Sequence, residues 1–308
     1  MQSKIRLIAV VVIMMALSFV SCKKSDTNTT TDSTTELTAQ TDDQSNVSTS
    51  SDAVENDVNL VLESNPSFNG RMENALGVLC SATAVVDSAN GNKRITITYN
   101  GANCQGNRTF NGVVILSMPL GTYWKNAGAV LTISTQNLKV IRVSDNKSIT
   151  INGIKTITNV TGGRLKDLSS KSITHTITGT DSVTFDNGKQ RVWQVAKQRV
   201  FTYNAGAVIT TSGTHSEGGV SGIAEWGINR FGNAFVTAIS QPLIIRQDCD
   251  FRLVSGEVIH SKLVADVTVT FGLDGTGTPT SCPLTGTYYY KAVWKGVNSV
   301  TKTIILPY

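Results

Sequence analysis

From Leu79 to the C-terminus, apolar and polar residues alternate with period two, segment after segment. The clearest runs are Arg94-Ile-Thr-Ile-Thr-Tyr99, Val130-Leu-Thr-Ile-Ser134, Ser148-Ile-Thr-Ile151 and Val267-Thr-Val-Thr-Phe271. Between the runs stand the turn dipeptides Asn90-Gly91, Asn152-Gly153, Asn187-Gly188 and Asp274-Gly275, read here as hairpin markers. About fifteen candidate strands result, and no helical period follows residue 76. A parallel pair needs a crossover connection, usually a helix, so a chain without helices between its strands builds antiparallel sheet. The expected fold class is therefore all-β: one large antiparallel assembly, as a sandwich, an open barrel or a curled sheet. Strict Thr/Ile alternation gives many of its strands one apolar and one wet face.

One short helix precedes the strands. Ser51-Asp52 with Glu55 resembles a capping box, Val54, Val58, Val61 and Leu62 fall on one helical face, and Pro66 and Gly70 stop it. The expectation is a helix over 53–63. Ahead of it, Lys23 to Ser50 is mostly Thr, Ser, Asp, Asn and Gln. Such a composition offers too little apolar burial to offset the entropy of ordering, so it reads as a disordered tether with a reach of roughly 30 Å.

The first residues have a different character. Lys4 and Arg6 precede an apolar run from Leu7 to Val20, broken only by Ser18 and followed by Ser21-Cys22. The run is shorter than the roughly 20 apolar residues of a membrane-spanning helix and has the layout of a secretory signal. Leu17 to Cys22 resembles a bacterial lipoprotein signal, and the stretch from Glu225 to the closing Ile304-Ile-Leu-Pro-Tyr308 is similar to uncharacterised Bacteroidetes-type outer-membrane lipoproteins. The resemblance implies a signal peptide over 1–21, lipidation at Cys22, and a protein held on the outer membrane by its lipid. It leaves open which face of that membrane. The domain organisation expected is thus signal peptide (1–21), lipidated Cys and tether (22–50), and β domain (51–308).

Charge is unevenly divided. From Lys23 to Glu73 there are ten acidic residues against three basic, whereas Asn74 to Tyr308 has twelve acidic against twenty-two basic. A basic domain favours anionic partners. In an exported protein these are anionic glycan or lipopolysaccharide in preference to nucleic acid. Nothing in the sequence sets the oligomeric state.

Residues 79–125 and 248–295 look like two copies of one unit. Each has a Cys, a hairpin whose second strand ends on an aromatic (Tyr99, Phe271), a second Cys, and a third strand with a Trp shortly after (Trp124, Trp294). Cys80, Cys104, Cys249 and Cys282 form an even set once Cys22 is lipidated, which in an exported chain points to disulfides. Because each copy holds its own pair, the expected bridges are Cys80–Cys104 and Cys249–Cys282.

No catalytic constellation is legible. His175, His215 and His260 are the only histidines, and none has a nucleophile and an acid at a recognisable spacing. There is no C-x-x-C pair, no phosphate loop and no Gly-x-Gly-x-x-Gly after a strand, so no metal or cofactor is expected. One strand is unusual: its odd positions read Lys189, Arg191, Trp193, Val195, Lys197, Arg199, Phe201 and Tyr203. In a domain short of acids these cations are expected on a wet face, because core cations would need partners. With Trp226 and Arg230 of the run Trp226-Gly-Ile-Asn-Arg-Phe-Gly232, the residues Lys189, Arg191, Trp193, Lys197 and Arg199 are the candidate ligand-binding set. The function expected is a non-catalytic binding or scaffolding role in the cell envelope. The alternative is a surface glycan-binding lipoprotein of a polysaccharide-uptake system.

Overall fold

The structure is a computed structural model that describes residues 29–69, 79–261, 263–280, 286–295 and 299–308. Two helices come first, α1 (Thr29–Ser64) and the single turn α2 (Pro66–Asn69). Fifteen strands follow: β1 (Ala82–Ala89), β2 (Asn92–Ala102), β3 (Arg108–Pro119), β4 (Ala129–Arg142), β5 (Ser148–Asn159), β6 (Ile173–Phe185), β7 (Gln190–Tyr203), β8 (Ala207–Gly213), β9 (His215–Glu217), β10 (Val220–Ile228), β11 (Ala234–Arg246), β12 (Arg252–Ser261), β13 (Val267–Leu273), β14 (Tyr289–Lys295) and β15 (Thr301–Pro307). Past Asn69 the described residues include two short 3₁₀ turns, Leu165–Asp167 and Gln247–Cys249.

All fifteen strands belong to one sheet, and every pairing is antiparallel. The path is a meander from β1 to β7 and again from β11 to β15. Between the two meanders a single place in the sheet is shared. β8 fills one end, pairing with β7 from Lys197 to Tyr203 and with β11 from Leu243 to Arg246. β10 fills the other, pairing with β7 at Trp193 to Val195 and with β11 from Ala234 to Ala238.

The sheet curls around α1. Val54, Val58 and Leu62 of the helix pack with Ile95, Val114, Ile133, Ile151 and Ile177 of β2 to β6. Leu37, near its start, packs instead with Val258, Val269, Tyr290 and Trp294 of β12 to β14. One face of each strand therefore points at the helix while Thr96, Thr132, Thr150 and Thr176 take the outer face at half-exposed positions. Among the described residues no helix is long and apolar enough to cross a membrane.

Of the three architectures expected, the curled sheet is the one formed. Asn90-Gly91 makes the β1–β2 hairpin with both residues at positive φ, 52° and 74°, the geometry an Asn-Gly pair supplies at least cost. Asn152-Gly153, read as another hairpin, instead lies inside the continuous β5. There the Asn152 side chain accepts the Asn137 N–H (2.8 Å) where β4 bulges, and Gly153 lets β6 pass closely. A Cβ on Gly153 would stand 2.6 Å from the Thr180 carbonyl oxygen.

The larger correction concerns residues 29–50, expected as a disordered tether ahead of a helix starting at residue 53. They are helical, and the helix is continuous to Ser64. Gln40, Thr41, Ser45 and Ser50 on it are buried. The segment has almost no apolar side chains, so helical propensity and hydrophobic burial do not explain it. What does is the inner face of the sheet, which supplies polar and cationic partners. A helix also closes its own backbone hydrogen bonds, so it can enter such an interior without leaving amides unpaired.

Candidate functional site

The inward side chains of the central strands carry charge. Lys155 on β5, Asp181 on β6, Lys197 and Arg199 on β7 and Glu225 on β10 are all buried. Lys197 Nζ lies 2.6 Å from Glu225 Oε1, and Lys155 Nζ lies 3.1 Å from Asp181 Oδ2. Gly179 stands directly opposite Lys155, and Gly153 opposite Asp181. The missing side chains at those two positions leave room for the diagonal ion pair. A Cβ on Gly179 would come 2.7 Å from Lys155 Cγ.

The helix completes the network. Arg199 Nη1 lies 3.0 Å from Glu55 Oε2, and its Nη2 donates to Asp52. Lys155 donates to Ser51 Oγ (3.1 Å), and Ser48 donates to Glu225. The three residues that resemble a capping box in the sequence, Ser51, Asp52 and Glu55, thus face the sheet. Nearer the helix start, Asp42 meets Arg142 (2.8 Å) and Lys147 (2.8 Å). Both Asp43 oxygens accept from Arg230 at 2.6 Å, and Glu36 accepts from Asn229 and Asn233 at 2.7 Å. Toward its end, Asp57 accepts from the Tyr99 hydroxyl (3.0 Å) and Glu63 from the Leu165 N–H (3.0 Å).

Burial alone would raise the Glu225 carboxyl, but Lys197, Ser48 and Trp193 hold it below its ordinary range. Burial pushes Asp57 up to about 6 against the pull of the Tyr99 donor, and Glu63 up to about 7 against the pull of the Leu165 donor and of the Arg164 and Lys166 charges. His175 lies between the rings of Trp124 (5.0 Å) and Phe201 (4.7 Å), and burial with the Arg199 charge lowers it to about 3. His260, hydrogen-bonded through Nδ1 to Thr237 Oγ1 (3.0 Å), is lowered by burial to about 4. Both imidazoles are neutral at pH 7 and sit in packed surroundings. Among the described residues no group of three or more His, Cys, Asp or Glu stands where it could hold a metal ion.

Beside this network the helix and sheet do not meet completely. A cavity of about 350 Å³ follows one flank of α1 from Gln44 to Leu60. At 1.5 Å per residue that flank is ~24 Å long. The sheet wall is apolar: Phe110, Phe201, Ile209, Ile245, Leu253 and Phe271 line it. The helix wall is polar, with Ser48, Asp52, Asn56 and Asp57. Gln105 Nε2 donates to the Asp250 carbonyl oxygen (3.1 Å), joining the β2–β3 loop to the turn before β12.

Arg108, the first residue of β3, also lines this cavity and is 4% exposed. Its Nε and Nη2 are buried and have no hydrogen-bond partner among the described residues. Among those residues every other buried cation has a carboxylate or, in the case of Lys93, backbone carbonyls of Ser67 and Thr122. The Arg108 backbone is held firmly. Its N–H donates to Asn103 Oδ1 (3.1 Å), its carbonyl accepts from the Asn103 N–H (2.9 Å), and the Cys80–Cys104 disulfide pins the adjoining loop.

The residues singled out in the sequence do not form one surface. Trp193, Lys197 and Arg199 lie in the interior, where Trp193 Nε1–H donates to Glu225 (3.0 Å). The expectation of a wet cationic face fails at Lys197 and Arg199, because Glu225 on β10 meets the first and Asp52 and Glu55 on α1 meet the second. Lys189 is exposed beside the β6–β7 turn, and Arg191 is half-buried, donating to the Asn229 carbonyl (3.0 Å). Trp226 is half-buried and stacked on His215 (4.2 Å, 15°). Arg230 is tied to Asp43 and to Asp186 (2.9 Å). The expected Cys80–Cys104 bridge is formed; Cys249 is buried and disulfide-bonded, while Cys282 and Cys22 lie outside the described residues. Sequence reasoning missed Arg108 and the cavity, since nothing in the pattern Asn107-Arg-Thr-Phe110 separates an inward Arg from an outward one.

No protein-family model, no curated protein and no solved structure matches the chain.

Proposed function

We propose that this chain is a lipid-anchored protein of the cell envelope, attached through Cys22 to the outer membrane, with a non-catalytic binding role. Its ligand is an apolar molecule received in the cavity between α1 and the sheet. The observation that carries the reading is that cavity: its volume of about 350 Å³ lies in the range of small-molecule sites, and its sheet wall is continuous aromatic and aliphatic surface. The ionisable groups nearby support binding over catalysis. The carboxylates of Glu55 and Glu225 are buried against cations, and the imidazoles of His175 and His260 are enclosed. The two tryptophans expected to form a glycan platform are not free for it: Trp193 is buried and Trp226 is covered by His215.

The test is titration of the purified protein with an environment-sensitive apolar fluorophore, repeated on an Ile209→Trp variant that fills the cavity. Saturable one-to-one binding that the variant loses, with its circular dichroism unchanged, is the expected result. Non-saturable binding, or equal binding by a folded Ile209→Trp protein, would overturn the proposal.

A further inference from the structure

We infer that the cavity takes an anionic single-chain amphiphile, whose acidic headgroup meets Arg108 while its chain lies along the apolar wall. This rests on the proposed binding role and adds the chemistry of the ligand. The wall alone would suit any apolar molecule. Arg108 narrows the choice, because a guanidinium buried without a partner costs several kcal/mol unless something neutralises it.

The nearby acids do not supply that partner. Asp42 and Asp145 are close enough to influence Arg108 but are bonded to Arg142 and, for Asp42, to Lys147. Asp52 is bonded to Arg199, and Asp57 accepts from Tyr99. Asp250, also on the cavity lining, is exposed. The charges that act on Arg108 are those of Arg142 and Arg252 and of Asp145 and Asp42, two cations against two carboxylates, so the Arg108 charge itself is left over. Burial, with the charges of Arg142 and then Arg252, lowers the Arg108 guanidinium to about 10 against the opposing pull of Asp145 and Asp42.

Arg108 also shares one cavity with the apolar wall: it heads β3 next to the disulfide-pinned loop, and Phe110 and Phe271 line the same space. A carboxylate and a phosphate monoester share the chemistry required, an anion able to accept two parallel N–H bonds from one guanidinium. A free fatty acid and a lysophospholipid with a phosphate head are the two sources.

The experiment displaces the fluorophore from the purified protein with dodecanoate, dodecyl phosphate and dodecanol, for wild type and for Arg108→Met. A charge-assisted pair in a desolvated site predicts that wild type binds the two anions about tenfold to a hundredfold tighter than the alcohol. Arg108→Met should lose that preference while keeping its affinity for dodecanol. The ligand-free Arg108→Met protein should melt no lower than wild type, because the guanidinium it removes had no partner. The ratio of dodecanoate to dodecyl phosphate affinity separates a fatty-acid from a phospholipid source. Equal binding of acid and alcohol by wild type would overturn this inference and leave the binding role standing. So would an Arg108→Met variant that weakens all three ligands alike. Failure of all three ligands to displace the fluorophore would overturn both.

Discussion

The Lys197–Glu225 pair offers a direct measure of how the helix is held. The two groups lie 2.6 Å apart, both buried, with Asp52 the next carboxylate to Lys197 at 4.0 Å. Glu225→Gln leaves an ammonium in the interior; Lys197→Met leaves a carboxylate that still accepts from Ser48, Trp193 and Gln44. Each orphaned charge can escape by changing protonation, which sets a ceiling on the damage. At pH 7, neutralising a lysine costs about 5 kcal/mol and neutralising a glutamate about 3.5 kcal/mol. Breaking a buried pair costs about 3–5 kcal/mol in general, so Glu225→Gln should approach its ceiling while Lys197→Met, with three donors remaining, falls below its own. The double variant removes both charges and should cost less than Glu225→Gln alone, giving a coupling energy of about 3 kcal/mol. Urea unfolding followed by far-UV circular dichroism measures all four proteins. The Lys197→Met deficit should also shrink as pH falls toward 5. Its Glu225 then binds a proton more readily folded than unfolded, so stability rises on acidification. Additive costs, with the double variant as unstable as the sum of the singles, would refute the argument.

Three further outcomes are expected. In wild type, His175 and His260 are protonated first in the unfolded chain, costing about 2 kcal/mol each between pH 7.5 and pH 5, while Asp43, Asp57 and Glu63 are protonated first in the folded chain and return about 5 kcal/mol together. Denaturant stability should therefore rise by only about 1 kcal/mol on acidification over that interval, and an Asp57→Asn/Glu63→Gln variant, which keeps Asp43, should lose about 2.5 kcal/mol across it; a flat profile for the variant counts against the assignment. A Cys80→Ser/Cys104→Ser variant, which opens a bridge with sequence separation 24, should be about 3.5 kcal/mol less stable and should bind the anions more weakly, because the loop beside Arg108 is freed. Cys22→Ala should abolish labelling by radioactive palmitate and leave the protein out of the membrane fraction; retained label would exclude Cys22 as the lipidation site.

The sheet was legible because its signal is local. Period-two alternation assigns each residue of β2, β5 or β13 to a face whatever surrounds it, and Ile95, Ile149 and Val267 are buried as the pattern requires. The helix was legible only over Val54, Val58, Val61 and Leu62, where it uses apolar packing. Its first half is stabilised by partners a hundred or more residues away, such as Arg142 for Asp42 and Arg230 for Asp43. No window of sequence around Asp42 contains that information. The composition that signals disorder in an isolated segment signals nothing once the rest of the chain supplies countercharges.

The clue lay in comparing the two halves. An acidic run with ten carboxylates preceded a domain with a basic excess, and the alternating strand Lys189 to Tyr203 set Lys197 and Arg199 on the same face as Trp193 and Phe201. A face that mixes cations with large aromatics is a poor solvent face and a poor core by itself. It becomes a good core when carboxylates arrive on a separate element, here Asp52 and Glu55 on α1. The same logic isolates the candidate site. Where the helix brings an acid to a buried cation the interior is closed, as at Arg142, Lys155, Lys197 and Arg199. At Arg108 the helix brings none, and there the interior stays open as a cavity. An unpaired guanidinium beside an apolar wall is costly as a packing element, and that cost becomes affinity when an anion arrives to meet it.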